Sequence, residues 1–397
     1  MNDTQQRTQV AIIGAGPAGL VLSHVLALHD ISSVVLEQRS REYCEGRVRA
    51  GVLEHDVARL LVDTGVGERL RREGLVHHGI DLRFDRADHR IPMTELTGRS
   101  VTVYGQQEVV KDLIKHRLEA GADIRFEVED VALHDVSTDS PSVTFSQDHA
   151  DAGLRCDAIA GCDGFHGVCR DAIPAAKRRS YECEYPFAWL GILASAAPAT
   201  EELIYACHER GFALYSMRSA AVSRLYLQVP ANEPIQAWPD ARIWEELETR
   251  LQGPAGWHVG VGPTIEKGVT AMRSFVSEPM QHGRLFLAGD ASHIVPPTGA
   301  KGLNLAVHDA LHLADALDAW YGTGSNEMLE RYTDTCLARV WRAQDFSHWM
   351  TMMLHVTGDP YEHQLQLARL RYVASSEPAA HSLAENYVGL PAGTAAA

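Results

Sequence analysis

The sequence predicts an α/β protein: a Rossmann-like dinucleotide-binding domain, an inserted β-rich domain and a helical C-terminal region. Three observations predict this class. A strand, a glycine-rich turn, a helix and a second strand follow one another near the start of the chain. Strand-like segments dominate the residues after 181, and apolar helical patterns dominate after 327. We expect the dinucleotide domain at 1–180 and again at 273–345, the β-rich domain at 181–272, and the helical region at 346–397.

The first motif is Gly14-Ala15-Gly16-Pro17-Ala18-Gly19, which follows the apolar run 9–13 and precedes an apolar helical pattern. A second strand candidate, 33–36, ends at Glu37. Glycines at this spacing let a pyrophosphate approach the start of the helix, and the acid can accept hydrogen bonds from ribose hydroxyls. The register of turn, helix and acid therefore predicts a dinucleotide site that uses Gly14, Gly16, Gly19 and Glu37.

Four arginines follow this motif, at positions 39, 41, 47 and 49, and glycines flank the last two. Such a loop suits contact with phosphates, because a guanidinium presents several donors to one anion. A solvated basic loop is the alternative.

Helical and strand patterns then alternate as far as residue 158. Helices are predicted at 53–71 and 107–119, β-structure at 80–103, 124–128 and 142–145, and a hairpin tip at 148–153. The next strand runs into Cys162-Asp163-Gly164, where Asp163 is either a ligand contact or a simple turn cap. Beyond residue 181, strands are predicted at 189–193, 203–206, 212–216 and 225–229, and a helix at 241–251.

The stretch 289–306 carries the third glycine and acid motif. Asp290 comes directly after the strand 284–288, where open α/β sheets place ligand contacts. The double proline Pro296-Pro297 shapes the loop, and a helix from Gly302 would direct its positive end back at it. A strand, a turn and a capping Asp290 form the plainer alternative.

Composition narrows the function classes. The formal net charge is -16, which argues against nucleic acid and against an anionic membrane surface as partners. The uncharged run 185–200 is shorter than a membrane-spanning helix requires. Seven cysteines without a CxxC pair, together with a polar start, predict a cytoplasmic protein. His308 and His312 have metal-ligand spacing but no third ligand nearby, so we expect no metal.

The three motifs in order resemble those of the flavoprotein aromatic hydroxylases. The resemblance covers nearly the whole chain, from Thr8 to Pro391. Its specific stretches include 46–54, 101–106, 159–167, 273–304 and 384–391. It implies that the Rossmann-like domain binds FAD and that NADPH or NADH is the electron donor. The implied FAD contacts are Gly14, Gly16, Gly19, Glu37, Arg47, Arg49, Gln106, Asp290, Leu303 and Asn304, with Arg224 steadying the flavin. The implied nicotinamide-access residues are Asp163, His166, Arg273, Arg39 and Tyr43.

The resemblance also implies a substrate site for a para-hydroxylated benzoate, with dioxygen as co-substrate. Ser216, Arg218 and Tyr226 would hold the carboxylate, since arginine meets a carboxylate with two bonds. Tyr205 and Tyr387 would contact the phenol, together with the carbonyl of Pro297, and His77 would form the surface end of a proton relay. The implied reaction converts 4-hydroxybenzoate into 3,4-dihydroxybenzoate.

The sequence departs from the family pattern at Gln38, where an arginine is expected, so strict NADPH preference is not implied. Tyr215 and Leu225 flank the carboxylate residues, also differ, and could reshape the pocket. A related hydroxybenzoate as substrate, an FAD-linked reductase that makes no oxygenated product, and a non-enzymatic FAD-binding protein stay open. The apolar C-terminal helices either complete a core or form the face of a homodimer.

Overall fold

The computed structural model describes residues 6–49, 51–254 and 256–390. The polar start of the chain and Pro391, the last residue of the resemblance, lie outside these ranges. Within them the chain forms four sheets and a set of helices that pack on both large sheets.

The sheet of the dinucleotide domain is parallel except at one edge. Its strands, from that edge, are Gln281–His282, Leu285–Leu287, Ala158–Gly161, Val10–Ile13, Ser33–Leu36 and Asp123–Arg125. Gly161 pairs with Ile13 on one side and with Leu287 on the other. The three glycine and acid motifs therefore leave three neighbouring strands at the same carboxyl edge, where α/β sheets bind ligands.

Helices and a second, small sheet cover the two faces of this parallel sheet. Helices Pro17–Leu28, Gln106–Glu119 and Gly302–Thr323 share one apolar core with it. A four-stranded sheet packs on the other face; its strands, in order, are Gln6–Arg7, Ala150–Arg155, Ser142–Gln147 and Glu129–His134. Burial on both faces explains why the central strands are continuous apolar runs.

The large sheet has eight strands. In order they are His293–Ile294, Thr264–Glu278, Arg179–Ala194, Val222–Pro230, Ala213–Ser219, Leu203–Ala206, Ile80–Phe84 and Ala87–Ile91. The sheet is thus not confined to 181–272 as expected: the two strands between residues 80 and 91 join it, because Ile80–Phe84 pairs in parallel with Leu203–Ala206. Helix Asp240–Arg250 covers one face, and helices Tyr332–Leu354, Pro360–Ser375 and Glu377–Val388 cover the other.

The segment between the first two strands and residue 106 differs most from expectation. The predicted helix at 53–71 is two helices, His55–Asp63 and Glu68–Glu73, because Gly65 adopts φ +86° between them. The predicted β-region 80–103 also contains helix Met93–Thr97. Two further short helices are Arg41–Gly46 and Glu327–Glu330, and strands Val52–Leu53, Val101–Val103 and Leu75–His77 form a small separate sheet.

No helix among the described residues is long and apolar enough to cross a lipid bilayer.

Candidate active site

The first two glycine motifs are packed backbone against backbone. Gly14 has φ +106°, and a Cβ there would lie 2.4 Å from the carbonyl oxygen of Cys162. A Cβ at Gly19 would lie 2.0 Å from the carbonyl oxygen of Gly14. A Cβ at Gly16, in contrast, would meet no described atom within 4 Å. Gly14 and Gly19 therefore close the turn, and Gly16 leaves open the space that a pyrophosphate needs.

Glu37 connects this turn to the next strand. Its carboxylate accepts the backbone N–H of Ala15 at 2.7 Å and the backbone N–H of Arg39 at 2.8 Å. A carboxylate has about four acceptor sites, so two bonds leave capacity for ribose hydroxyls.

Asp290 is solvent-accessible although many protein atoms lie around its carboxyl. Loss of water around it raises the pKa of this carboxyl, while His293, Arg49 and Arg47 act in the opposite direction. Burial also lowers the pKa of Arg49, with Arg47 adding to the effect. The loop 46–49 and the Gly289 turn thus meet at one cleft that holds both signs of charge.

Helix Gly302–Thr323 begins at this cleft, and its first intrahelical bond is from the N–H of Leu305 to the carbonyl of Lys301. The amides of Gly302, Leu303 and Asn304 therefore precede the helical ladder and suit an electron-rich ring edge. The Asn304 side chain is occupied: Oδ1 accepts the N–H of Glu54 at 2.9 Å, and Nδ2 donates to the carbonyls of Val52 and Ala300. Gln106 begins the helix Gln106–Glu119.

These features fit FAD. The open turn at Gly16, the accessible Asp290 and the helix amides are the donors and acceptors that a pyrophosphate, a ribityl chain and a flavin ring require.

Asp163, expected at the nicotinamide entrance, caps its own turn. Its Oδ2 accepts the N–H of Cys169 at 2.9 Å, and a Cβ at Gly167 would lie 2.0 Å from the carboxyl carbon. Burial raises the pKa of Asp163. His166 is exposed beside Phe165, and the guanidinium of Arg273 lies 4.9 Å from the Phe165 ring.

Sequence reasoning missed Arg170, whose guanidinium stacks on Phe165 at 4.9 Å and on Phe275 at 4.8 Å. These three residues line a cavity of about 350 Å³. The proximity of Arg170 to the Cys162-Asp163-Gly164 motif was the available signal. Earlier in the chain, the guanidinium carbon of Arg39 lies 5.3 Å from the centre of the Tyr43 ring.

The residues expected to hold substrate lie on one face of the large sheet. Tyr205 is opposite Leu214, Leu214 is opposite Tyr226, and Ser216 is opposite Arg224. Because side chains alternate between faces, these residues point to the same side, toward the C-terminal helices. The strand register is irregular at Arg218, and this residue reaches the group through its bond to Ser216.

Arg218 and Arg224 present unused donors there. Arg218 Nη1 donates to Ser216 Oγ at 3.2 Å and to the Met217 carbonyl at 2.9 Å. Within the described chain, the buried Nε of Arg218 and the buried Nε and Nη1 of Arg224 have no hydrogen-bond partner. Burial lowers the pKa of Arg218. Unpaired buried guanidinium donors are costly, so this site favours an anion.

Tyr215 and Leu225 do not reshape this pocket, contrary to our expectation. They are opposite each other in register and belong to the core on the other face of the sheet. The Tyr215 hydroxyl accepts the N–H of Ala199 at 2.6 Å.

Tyr205 and Tyr387 form a buried hydroxyl pair, with oxygens 2.7 Å apart and both residues 2% exposed. Tyr387 lies in helix Glu377–Val388. Burial, more than any other cause, raises the pKa of both tyrosines. Both hydroxyls are therefore neutral at physiological pH.

His77 does not lie at the surface as expected. It is 0% exposed, and both ring nitrogens lack a hydrogen-bond partner among the described residues. Burial lowers its pKa to about 4, so the ring is neutral at physiological pH. Pro297 is exposed, and its carbonyl accepts the N–H of Ala300 at 3.0 Å, which leaves one lone pair for a ligand.

Sequence reasoning missed a buried ion pair between Lys301 and Glu54, in which the lysine also bonds to the backbone of Tyr387. Lys301 Nζ donates to Glu54 Oε1 at 2.6 Å and to the Tyr387 carbonyl at 3.1 Å. Burial would raise the pKa of Glu54, but Lys301 and His308 outweigh it and bring the value to about 2. Glu54 is 247 residues from Lys301, and no local pattern indicates that they pair.

Sequence reasoning also missed the role of Gly191. A Cβ there would lie 2.9 Å from Arg224 Nη2 and 3.3 Å from Tyr226 Cε1. This glycine therefore gives the Arg224 guanidinium its space.

Comparisons with known proteins agree with this geometry. The model of the FAD binding domain family matches residues 7–347. A p-hydroxybenzoate hydroxylase of Acinetobacter baylyi is 48% identical over 388 residues, which cover 97% of this chain and 96% of that protein. Among solved structures, p-nitrophenol 4-monooxygenase from Pseudomonas putida has a TM-score of 0.77 at 18% identity and covers 98% of this chain and 100% of its own. An anhydrotetracycline hydroxylase from Streptomyces rimosus has a TM-score of 0.74 at 22% identity, and the match covers 96% of this chain and 76% of that protein. These two structures share the fold.

Proposed function

Because this chain belongs to the family of FAD-dependent aromatic hydroxylases, we propose that it converts 4-hydroxybenzoate into 3,4-dihydroxybenzoate with NAD(P)H and dioxygen. The supporting observation is that the guanidinium of Arg218 donates to Ser216, whose strand position shares a sheet face with Tyr205 and its hydroxyl partner Tyr387. Tyr205 is opposite Leu214, and Arg218 is four residues farther along that strand, roughly 13 Å at the strand rise. A ring with an acid at one end and a hydroxyl at the other can bridge these groups.

Arg218, with Ser216 and Tyr226, binds the carboxylate in this proposal. The carboxylate would accept a hydrogen bond from the free Nε of Arg218. Its negative charge would also favour the protonated guanidinium, whose pKa is lowered by burial. Arg224, which lies 5.2 Å from the Tyr226 ring, steadies the flavin side of the same pocket. The carboxylate thereby orients the ring, because a fork of donors fixes direction as well as position.

The tyrosine pair removes the phenolic proton. A free phenol has a pKa of roughly 10, and its ionised form pushes electron density onto the carbon next to the hydroxyl, where the new oxygen is added. Tyr205 accepts the proton as it donates its own to Tyr387, and Tyr387 in turn donates its proton onward, so that both hydroxyls, whose oxygens are 2.7 Å apart, stay neutral. Pro297 places its carbonyl near the phenolic hydroxyl, and His77 passes the proton released by Tyr387 on toward solvent. The buried setting keeps water from the reacting carbon.

FAD, when bound, supplies the transfer of electrons from the nicotinamide and the activation of dioxygen. We assign its adenosine and pyrophosphate to Gly14, Gly16, Gly19 and Glu37. Asp290, Arg47, Arg49 and Gln106 face its middle, and Leu303 and Asn304 its ring. Asp163, His166 and Arg273 form the nicotinamide entrance, with Arg39 and Tyr43 near the nucleotide.

Both NADH and NADPH are proposed as donors. Arg41 Nε is bonded to Glu45 Oε1 at 2.6 Å, so Glu45 competes with a 2′-phosphate for this guanidinium. Arg39 lies over Tyr43, where it could contact either nucleotide.

The decisive experiment is a panel of ortho-, meta- and para-hydroxybenzoates and 3,4-dihydroxybenzoate, each with NADH and NADPH. Flavin reduction rate and product formed per dioxygen consumed are measured together, with benzoate as the control that binds Arg218 but carries no phenol. We expect the fastest reduction and one product per dioxygen with 4-hydroxybenzoate. Colourless protein that takes up no flavin would refute the proposal. Rapid oxygen consumption without a hydroxylated product would favour the reductase alternative.

We also infer a homodimer through the C-terminal helices. Tyr361 and Tyr372 of helix Pro360–Ser375 are 70% and 62% exposed, which is unusual for large aromatic residues and supports a contact face. Light scattering at micromolar concentration tests this, and a monomeric mass would contradict it.

A further inference from the structure

A second buried charged pair lies behind the Gly289 turn, and the proposed reaction does not use it. His293 Nε2 and Asp309 Oδ2 are 2.6 Å apart, and the two residues are 1% and 2% exposed. His293 follows the turn in sequence, whereas Asp309 lies in helix Gly302–Thr323, whose first amides face the cofactor cleft.

The same carboxylate oxygen holds the turn itself. Asp309 Oδ2 accepts the backbone N–H of Gly289 at 2.9 Å. Gly289 has φ +63°, and a Cβ there would lie 3.2 Å from the Cβ of Ala306 on the helix. This oxygen therefore connects the turn to helix Gly302–Thr323 at Gly289, where turn and helix are in close contact, one residue before Asp290.

Asp309 favours the protonated form of His293. Burial opposes its protonation, but the charge of Asp309 and the hydrogen bond to it outweigh burial and raise the pKa of the imidazole. Asp290 is also close enough to His293 to be stabilised by that charge. The order of charges is thus Asp309, His293, Asp290.

We propose that Asp309 and His293 are positioning residues that hold the Gly289–Asp290 turn so that Asp290 presents its carboxylate to FAD. This inference rests on the proposed role of Asp290 as an FAD contact. Removing one partner of a buried charged pair also destabilises a fold. The coupling between Asp309 and Asp290 in FAD affinity, measured on folded protein, is therefore the readout that separates positioning from a general loss of stability.

The test is a double-mutant cycle on the full-length holoenzyme with Asp309→Asn and Asp290→Asn. FAD release on dilution is followed by flavin fluorescence to give a dissociation constant, and thermal stability is measured at saturating FAD. We expect Asp309→Asn to weaken FAD binding roughly ten- to a hundredfold, the effect of one hydrogen bond to a charged group. In the Asp290→Asn background the same change should weaken binding less than about threefold. Asp315→Asn, an exposed position on the same helix, is the matched control and should leave FAD affinity unchanged.

The two ideas fail in different ways. If Asp290→Asn alone leaves FAD affinity intact, the proposed cofactor contact is wrong. If Asp290→Asn weakens FAD but Asp309→Asn does not, or if the two losses simply multiply in the double variant, the positioning role is overturned. Should Asp309→Asn not fold, His293→Gln serves instead, because it removes the positive charge but leaves the bond from Gly289 to Asp309. An unchanged FAD affinity and flavin spectrum in His293→Gln would then overturn the inference.

Discussion

Replacing Lys301 by methionine would remove its buried ion pair with Glu54 and its bond to the end of helix Glu377–Val388. In the native protein the Lys301 and Glu54 side chains are 5% and 8% exposed, and Nζ also donates to the Tyr387 carbonyl. The variant leaves the Glu54 carboxylate buried without its cation. His308 Nε2, at 3.4 Å from Glu54 Oε2, is the nearest remaining donor.

The expected loss is large for one substitution. Removing one partner of a buried ion pair costs about 3–5 kcal/mol. An unfolding entropy of about 2.1 cal/mol/K per residue gives roughly 0.8 kcal/mol per kelvin for 397 residues. The melting temperature should therefore fall by about 4–6 °C at pH 7.5. The double variant Lys301→Met with Glu54→Gln should recover more than half of this, because no charge is left unpaired.

The pH dependence of stability tests the same assignment independently. In the native protein the pKa of Glu54 is about 2, below its ordinary value of 4.5, so its stabilising contribution is complete above pH 4.5 and is lost as the pH falls toward 2. Without the lysine, burial should raise this pKa above 4.5, and the protonated form becomes the tolerated one. The deficit of the variant should therefore shrink as the pH is lowered from 7.5 to about 5.

Thermal unfolding of the two variants and the native protein, each saturated with FAD, measures both effects. A double variant that is less stable than Lys301→Met, or a deficit that grows on acidification, would refute the assignment of a buried, unpaired carboxylate.

Two further predictions concern the substrate face. Arg218→Ala should weaken 4-hydroxybenzoate binding by about 1.5–3 kcal/mol, measured by titration of the flavin spectrum. Tyr215→Phe, on the opposite face of the same strand, should leave that affinity unchanged; equal losses in the two variants would contradict the assignment of faces. Tyr205→Phe should bind substrate and permit flavin reduction, but should consume NAD(P)H with hydrogen peroxide as the main product instead of the dihydroxybenzoate. A full yield of hydroxylated product from Tyr205→Phe would remove the tyrosine pair from the reaction.

The dinucleotide-binding half was the most predictable part of the fold. The predicted helix at 107–119 and the observed helix Gln106–Glu119 differ by one residue, and the strand before each glycine motif is present. These patterns are local, so short windows of sequence contain them. The side-by-side arrangement of the three motifs was not predictable in this way, because it depends on pairing among strands about 125–150 residues apart.

The errors have physical causes. Gly65 breaks the predicted helix at 53–71 because it adopts a left-handed conformation that glycine alone favours. The positions of Tyr215 and Leu225 could have been predicted: they alternate with Ser216 and Arg224, so a strand directs them to the other face. The partners of Lys301 and Asp309 could not have been predicted from the sequence. The tertiary fold brings a buried charge and its counterion together, and no periodic pattern in the sequence indicates the pair.

The burial of His77 constrains how the phenolic proton leaves the site. With a pKa of about 4, a neutral His77 cannot store a proton at physiological pH and can only pass it on, which requires water at its two unpartnered ring nitrogens. His77→Asn should therefore slow the appearance of the bound phenolate after mixing, while its final amount at each pH stays that of the native protein. Stopped-flow absorbance of the bound phenolate between pH 6 and 9 separates rate from amount. If the variant instead shifts the pH at which half of the bound phenol is ionised and leaves the rate unchanged, His77 acts on the equilibrium of the site and not on proton transfer.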